Sequence, residues 1–519
     1  MTSSALIKIR IFFSVLVLIL FVSVFVDFRH LIPDKYVNAL TYLQFIPSGI
    51  KLITIGIIAI TGFIIVLLIT LVSGRTYCSF LCPLGILQDV ISRTGGKIKK
   101  RFRRFGFKKP HTIIRYGLLG ITLIVTLIWG TYFLTLLDPY STFGRFITYF
   151  LKPIVLILNN FLSGLLGKFD IYTLVNTPFT KFPLPVYIIP SVFLLLVGIM
   201  SFTKGRLYCN TICPVGTLLG LISKISLFRI RFDEVKCTRC GRCSLACKSS
   251  CIDFLHHDVD ISRCVDCFNC LKSCPDKALS YGPVTFRKEK QETDLERRKI
   301  IVGSVLLFLG LSNSSRGQNS VAPKPTKAST VKENRKYPIC PPGSTGIENF
   351  TKKCTACSLC VTVCPNNVLI PSVKEYGLSG IMQPRMDYHK SFCTYECTKC
   401  LEICPTGAIM PLTLEAKKLT QLGKAVFIKD NCIVNTEKTA CGACSESCPT
   451  KAVHMVPFEG RLVIPETKDE ICIGCGHCEF ACPTTPYKAI YVNGNPEHKA
   501  AKKPENVQSV QKKPVEFPF

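Results

Sequence analysis

The chain has 519 residues, 30 of them Cys, and a formal net charge of +30. That length exceeds one ordinary domain. The charge would suit a nucleic-acid binder, but many of the Lys and Arg flank long apolar runs, where they act as membrane topology signals, and that placement argues against nucleic acid.

The first apolar run is 11–26, a little short for a span. Residues 52–72 and 116–137 are long enough to cross a bilayer, and 186–202 is a further candidate kinked by Pro190. The sequence thus predicts four transmembrane helices. Orientation follows from the basic residues. The stretch 74–115 holds eleven Lys and Arg, against three in 27–51 and four in 138–185. The N-terminus and 74–115 are therefore expected on the cytoplasmic side. Residues 154–166 are apolar but short and follow Pro153, and are read as interfacial or re-entrant on the outer side. Asp27, His30 and Asp138 stand at predicted outer helix ends, as proton acceptors or as ordinary interfacial polar groups.

An internal repeat links the ends of two helices. Gly74-Arg75-x2-Cys78-x3-Cys82-Pro83-x-Gly85 matches Gly205-Arg206-x2-Cys209-x3-Cys213-Pro214-x-Gly216. Two halves that each offer two thiolates can jointly hold one further metal centre through Cys78, Cys82, Cys209 and Cys213. The competing reading makes them packing residues or a redox-active thiol pair. Residues 223–232 are basic and amphipathic and are expected at the membrane surface.

The most specific signal comes next. Cys237-x2-Cys240-x2-Cys243-x3-Cys247 precedes Cys264-x2-Cys267-x2-Cys270-x3-Cys274-Pro275. This is the bacterial ferredoxin run, in which three close thiolates grip one [4Fe-4S] cube and the fourth serves its neighbour. One cube is assigned to Cys237, Cys240, Cys243 and Cys274. The other is assigned to Cys264, Cys267, Cys270 and Cys247, with Cys251 as an alternative to Cys247. Zinc and disulfide frameworks do not require two complete runs of this kind. Thiolate-bound cubes are anionic and offset part of the positive charge.

Residues 295–299 hold Arg297-Arg298 before a twelve-residue apolar run, 300–311. The pair resembles a twin-arginine export signal, and the competing reading is an ordinary anchor. Either places the C-terminal region outside. Residues 312–336 are rich in Ser, Asn, Lys and Pro and read as a linker. Four more runs come next: Cys354, Cys357, Cys360, Cys364; Cys393, Cys397, Cys400, Cys404; Cys432, Cys441, Cys444, Cys448; and Cys472, Cys475, Cys478, Cys482. They predict four cubes in crossed pairs, either between neighbours in sequence or first with fourth and second with third. Ala408-Ile409-Met410 and Ala452-Val453-His454-Met455 suit small strands. The tail after 497 is basic, Pro-containing and expected to be disordered.

The resulting fold class is multidomain: an α-helical membrane bundle plus α+β bacterial-ferredoxin-like modules. The expected parts are 1–232, 233–285, 295–336, 337–495 and 496–519. No C-x-x-C-H for haem attachment occurs, none of the eight His lies inside an apolar run, and no convincing G-x-G-x-x-G follows a strand.

Residues 1 to about 285 resemble the NapH family of membrane polyferredoxins, through the helices, the two Cys-x3-Cys-Pro copies and the following two-cube module. Residues from about 295 to 495 resemble the NapG family of exported four-cube ferredoxins, through the paired Arg and the long Cys432–Cys441 gap. The second run departs from that family's internal spacing. The resemblance implies a quinol dehydrogenase in the inner membrane, with six [4Fe-4S] clusters, quinol as substrate and a periplasmic cytochrome or molybdenum reductase as partner. A maturation factor that reduces a metal or cofactor of a partner enzyme is the competing function.

Overall fold

The computed structural model describes residues 3–55, 61–98, 105–177, 182–284 and 330–503. The paired Arg, the apolar run after them and most of the linker lie outside the described residues, as does the tail from 504.

The N-terminal half is helical: α1 (Ser3–Val26), α2 (Asp34–Tyr42), α3 (Phe45–Ile55), α4 (Thr61–Ser73), α5 (Tyr77–Phe80), α6 (Pro83–Ile98), α7 (Thr112–Trp129), α8 (Tyr132–Leu137), α9 (Pro139–Phe146), α10 (Lys152–Gly167), α11 (Leu184–Lys204), α12 (Leu207–Thr211) and α13 (Pro214–Ser223). One π turn (Ile147–Leu151) joins α9 to α10. Among the described residues, three helices are long and apolar enough to cross a membrane: Ser4–Val26, Pro139–Gly167 and Leu184–Lys204. The described parts of the 52–72 run lie at the end of α3 and in α4. The 116–137 run stops at Gly130, whose φ of +84° ends α7.

The stretch 138–185 is more helical than its sequence suggested. After Gly130 the chain doubles back. Thr131 Oγ1 donates to Cys354 O, the Leu137 carbonyl accepts from Tyr208 Oη, and Gly144 again lies against the Cys357 carbonyl. α8 and α9 thus fold back on each other with Asp138 between them, and 154–166 lies within α10, in the candidate span Pro139–Gly167. Asp138 caps α9, accepting from the Tyr140 and Ser141 amides and from Ser141 Oγ. Buried Arg145 and Lys152 interrupt the apolar pattern and hid this helix in the sequence.

Two small α+β modules complete the fold. The first contains β1 (Phe228–Phe232), β2 (Ile252–Asp253), β3 (Asp258–Val259) and β4 (Leu279–Pro283), with antiparallel pairs β1–β4 and β2–β3. β1 lies in the stretch expected at the membrane surface. It is instead a ladder strand of this module, because Ile230 is buried against the module core. The second module holds β5 (Leu369–Pro371), β6 (Pro384–Met386), β7 (Thr420–Phe427), β8 (Val453–Pro457), β9 (Val463–Thr467) and β10 (Ile490–Ala500). They form the antiparallel pairs β5–β6, β8–β9 and β7–β10. The expected strand at 453–455 is β8. Residues 408–410 form none, because the Ile409 amide donates to Cys404 Sγ and the Met410 amide to Gly343 O.

The modules sit at opposite ends of the helices. Leu6 and Ile7 of α1 pack on the first module, while Phe21 and Phe25 share a core with Cys357 and Leu359 of the second. The α4 end meets the first module, where Leu71 O accepts from the Leu227 amide and Ser73 O from Tyr281 Oη. Near the start of α7, Arg115 donates to Ser262 O at 2.7 Å, and its far end reaches Cys354 through Thr131. Val186 of α11 packs on Ala356 and Met382, and just past its other end the Arg206 amide donates to Lys248 O. At 1.5 Å per residue, α1 covers about 29 Å from Leu6 to Phe25, the outermost of these contacts.

Candidate metal centres

Each regular Cys run is shaped by two left-handed residues between its thiols: Arg239 and Gly241, Asp266 and Phe268, Ala356 and Ser358, Gly474 and Gly476. For a non-glycine residue this conformation costs on the order of 1 kcal/mol, so it persists where the surroundings demand it. It curls the backbone around a point and turns amides inward. The third Cys of each run then opens a one-turn helix, such as Leu359–Val363 or His477–Ala481, and the fourth leaves it in extended conformation.

The fourth thiol enters the neighbouring run's cavity. Cys237, Cys240, Cys243 and Cys274 line a cavity of about 300 Å³. Cys354, Cys357, Cys360 and Cys404 line one of about 320 Å³, Cys364, Cys393, Cys397 and Cys400 one of about 340 Å³, and Cys432, Cys441, Cys444 and Cys482 one of about 350 Å³. Cys247 lies within electrostatic reach of Cys264, Cys267 and Cys270, and Cys448 of Cys472, Cys475 and Cys478. Of the two orders left open by the sequence, the fold brings neighbours together. The walls are otherwise mostly apolar, and amides of Ala278, Ala356 and Ile409 donate to Cys274, Cys354 and Cys404. Four converging thiols with amide donors fit a [4Fe-4S] cube. Cys251 Sγ is 3.5 Å from Cys247 Sγ, and both are buried.

The two repeats meet face to face. Cys78, Cys82, Cys209 and Cys213 are each 3% exposed and share one core. Their surroundings follow a pseudo-twofold pattern. The Gly85 amide donates to Cys82 Sγ and the Gly216 amide to Cys213 Sγ, both at 3.4 Å. Arg75 reaches across to Cys209 O at 3.1 Å, and Arg206 reaches back to Cys78 O at 2.6 Å. Each guanidinium passes over the other copy's glycine. A Cβ on Gly85 would meet Cys78 O and Arg206 Nη1, and one on Gly216 would meet Cys209 O and Arg75 Nη2. The Arg and the Pro-x-Gly of the repeat are therefore one interlocking device. Helices α6 and α13 begin just after Cys82 and Cys213, so two positive dipole ends face the thiols.

The core around these four thiols also contains Cys267 of the first module and Cys357 of the second. Tyr77, Tyr140 and Tyr208 fill the space between, each at most 2% exposed.

Sequence reasoning missed the charge cluster beside this centre. Asp89 takes Arg206 Nε at 2.9 Å, Arg10 Nη1 at 3.1 Å and Lys248 Nζ at 3.3 Å, all buried. Burial pushes its carboxyl up, but the three cations outweigh that and hold it below the usual carboxylate range. Asp27 and Asp138 are occupied with backbone amides, Asp27 with those of Arg29, Leu31 and Ile32. His30 is half-buried, with φ of +55°.

Among the described residues, one compact group of metal-capable side chains lies elsewhere, Glu333, His389 and Glu479, with ligand atoms within 4.8 Å of one another. Its centre is already held by a cation. Arg335 Nη2 binds Glu333 at 3.0 Å and also Glu479, and stands 3.4 Å from His389 Nε2. This is an ion network that docks residues 333–335 onto the second module.

Comparison with known proteins agrees with the Cys geometry. Residues 55–104 and 186–233 match a family described as "4Fe-4S binding domain", and 353–408 and 439–486 match "4Fe-4S dicluster domain". The ferredoxin-type protein NapF of Escherichia coli (strain K12) is 27% identical over 157 residues, 30% of this chain and 87% of NapF. The methylamine utilization ferredoxin-type protein MauM of Methylobacillus flagellatus is 30% identical over 166 residues, 31% of this chain and 67% of MauM. The electron transport protein YccM of Escherichia coli (strain K12) is 27% identical over 213 residues, 40% of this chain and 51% of YccM. No solved structure matches. With Cys runs, cavities and relatives in agreement, the chain belongs to the ferredoxin-type [4Fe-4S] electron-transfer proteins.

Proposed function

We propose that this protein oxidises membrane quinol and relays the electrons singly, through clusters on both sides of the bilayer, to a periplasmic reductase of the nitrate-reductase type. The observation that carries the reading is the placement of the modules. Helices α1, α7 and α11 each meet the first module near one end and the second near the other, and a single buried core runs from Cys267 through the four repeat thiols to Cys357. Six crossed Cys sets hold six cubes, and Cys78, Cys82, Cys209 and Cys213 hold one further centre between them.

A cube supplies a site that gains or loses one electron. The chain's own residues set the conditions. Burial excludes water, amide–sulfur bonds and cations favour the reduced, more negative form, and the thiols hold the geometry fixed. At the repeats, two buried guanidiniums and two helix ends favour an anionic centre. Arg75 donates to Asn210 Oδ1, Ser262 O and Cys209 O and lies 3.9 Å from Cys78 Sγ, while its buried Nε has no partner. A guanidinium buried this way needs nearby negative charge, which thiolate-bound iron–sulfur would supply. Among the described residues the four repeat thiols do not form a group within 4.8 Å, the spacing of a mononuclear site. A cluster is therefore the better occupant than a single ion.

The test is anaerobic purification with iron and sulfide analysis, followed by mixing with menaquinol and ubiquinol analogues. Seven cubes predict about 28 iron and 28 sulfide per chain, and six predict about 24. Quinol-dependent bleaching of the visible absorption supports the relay. Full loading without any reduction by quinol overturns it and favours the maturation factor.

A further inference from the structure

Between the start of α7 and the end of α11, at the first-module end of the bundle, the fold opens a cleft of about 450 Å³. Lys108, Lys109, Lys204, His111 and Arg263 line it, and no Asp or Glu does. Three lining residues are almost fully buried, Arg263 and Asn210 at 5% exposed and Ser249 at 6%; the Asn210 side chain is taken up by Arg75 and the Ser249 carbonyl. Arg263 uses Nε on Asp260 and Nη1 on Lys108 O, which fixes its plane. Its Nη2 and Ser249 Oγ are buried without a hydrogen-bond partner. Such groups lose their water and gain nothing in return unless a ligand meets them. α7 adds to this, because no side chain caps its first amides.

We propose that this cleft binds the phosphate of an anionic lipid headgroup. A tetrahedral anion can accept from the guanidinium, the serine hydroxyl and the lysines at once. The lipid source follows from the neighbours. Ile113, next to the cleft on α7, is 86% exposed, and Ile199, just over one turn before Lys204 on α11, is 56% exposed. These apolar side chains offer a track for acyl chains leading away from a basic pocket at a helix end, the arrangement that holds anionic headgroups. The inference rests on the membrane reading above and adds to it a lipid preference at the first-module face.

The full chain is reconstituted into nanodiscs of phosphatidylcholine with or without phosphatidylglycerol. It is then extracted and its co-purifying lipid measured by native mass spectrometry. The expected result is retention of phosphatidylglycerol over phosphatidylcholine by about tenfold. Lys109→Gln with Lys204→Gln should abolish the preference, and Ser249→Ala should weaken it, with iron content unchanged in both. Equal retention of the two lipids by the unaltered chain overturns the proposal. So does saturable binding of inorganic phosphate in phosphatidylcholine discs without any lipid preference, which assigns the cleft to a free anion. A chain that does not enter discs at all overturns the membrane reading as well, and is distinguished by its soluble, cluster-loaded state.

Discussion

Asp89 is the residue on which the junction of helices and first module turns. Asp89→Asn would leave Arg10, Arg206 and Lys248 facing one another without a carboxylate, a loss on the order of 3 kcal/mol for a broken buried network. Thermal unfolding at neutral pH should show it. The pH sense is set by the lowered carboxyl. Its contribution is complete above the ordinary carboxylate range and is lost as pH falls through the folded value. The Asn variant should therefore show a flatter fall in stability with acid. Gly216→Ala should destabilise the fold by about 1–3 kcal/mol, through a Cβ forced onto the Cys209 carbonyl and Arg75, and thermal unfolding should show it. The Cys runs were legible from spacing alone, because the ligand geometry is local. Asp89 was not, since its partner Arg10 lies 79 positions away and Arg206 117, and nothing in its own neighbourhood marks it.

Among elements, the least legible was the stretch from Tyr132 to Gly167. Its buried Arg145 and Lys152 find carbonyls rather than acids, so a polar-looking sequence folds into a helix. β1 was also missed, because its alternation of Arg with Phe and Ile reads equally as an amphipathic helix face until β4 supplies a partner. The docking of residues 333–335 gives a test at this scale. The Glu333 side chain raises the His389 pKa above its ordinary 6.5. The stabilisation is thus complete below the unfolded value and lost as pH rises through the folded one. His389→Gln should lower the melting temperature of the second module at pH 6 and leave it unchanged at pH 9. An equal effect at both values would contradict a charged imidazolium.

At the scale of the whole molecule, Lys and Arg counts and helix order led to the expectation of two modules on opposite sides of a membrane; the structure gives the contacts of α1, α4, α7 and α11 with the modules. The sequence paired the two repeats but did not show what lies on either side of them. The Cys-x3-Cys-Pro copies lie 131 positions apart, and only the packed core puts both beside Cys267 and Cys357. Cys82→Ser with Cys209→Ser should remove about four iron per chain and leave the six other cubes reducible by dithionite. Quinol should then reduce one module without the other. Limited proteolysis of sealed right-side-out and inverted vesicles should cut the two modules in opposite preparations.

The crossed arginines carry a further consequence. Because Arg75 closes over the second copy and Arg206 over the first, neither copy is self-sufficient. A chain severed between α6 and α7 should regain the repeat centre, about four iron per chain, only when both fragments are made together, and a change of either arginine should be felt first in the half that does not contain it.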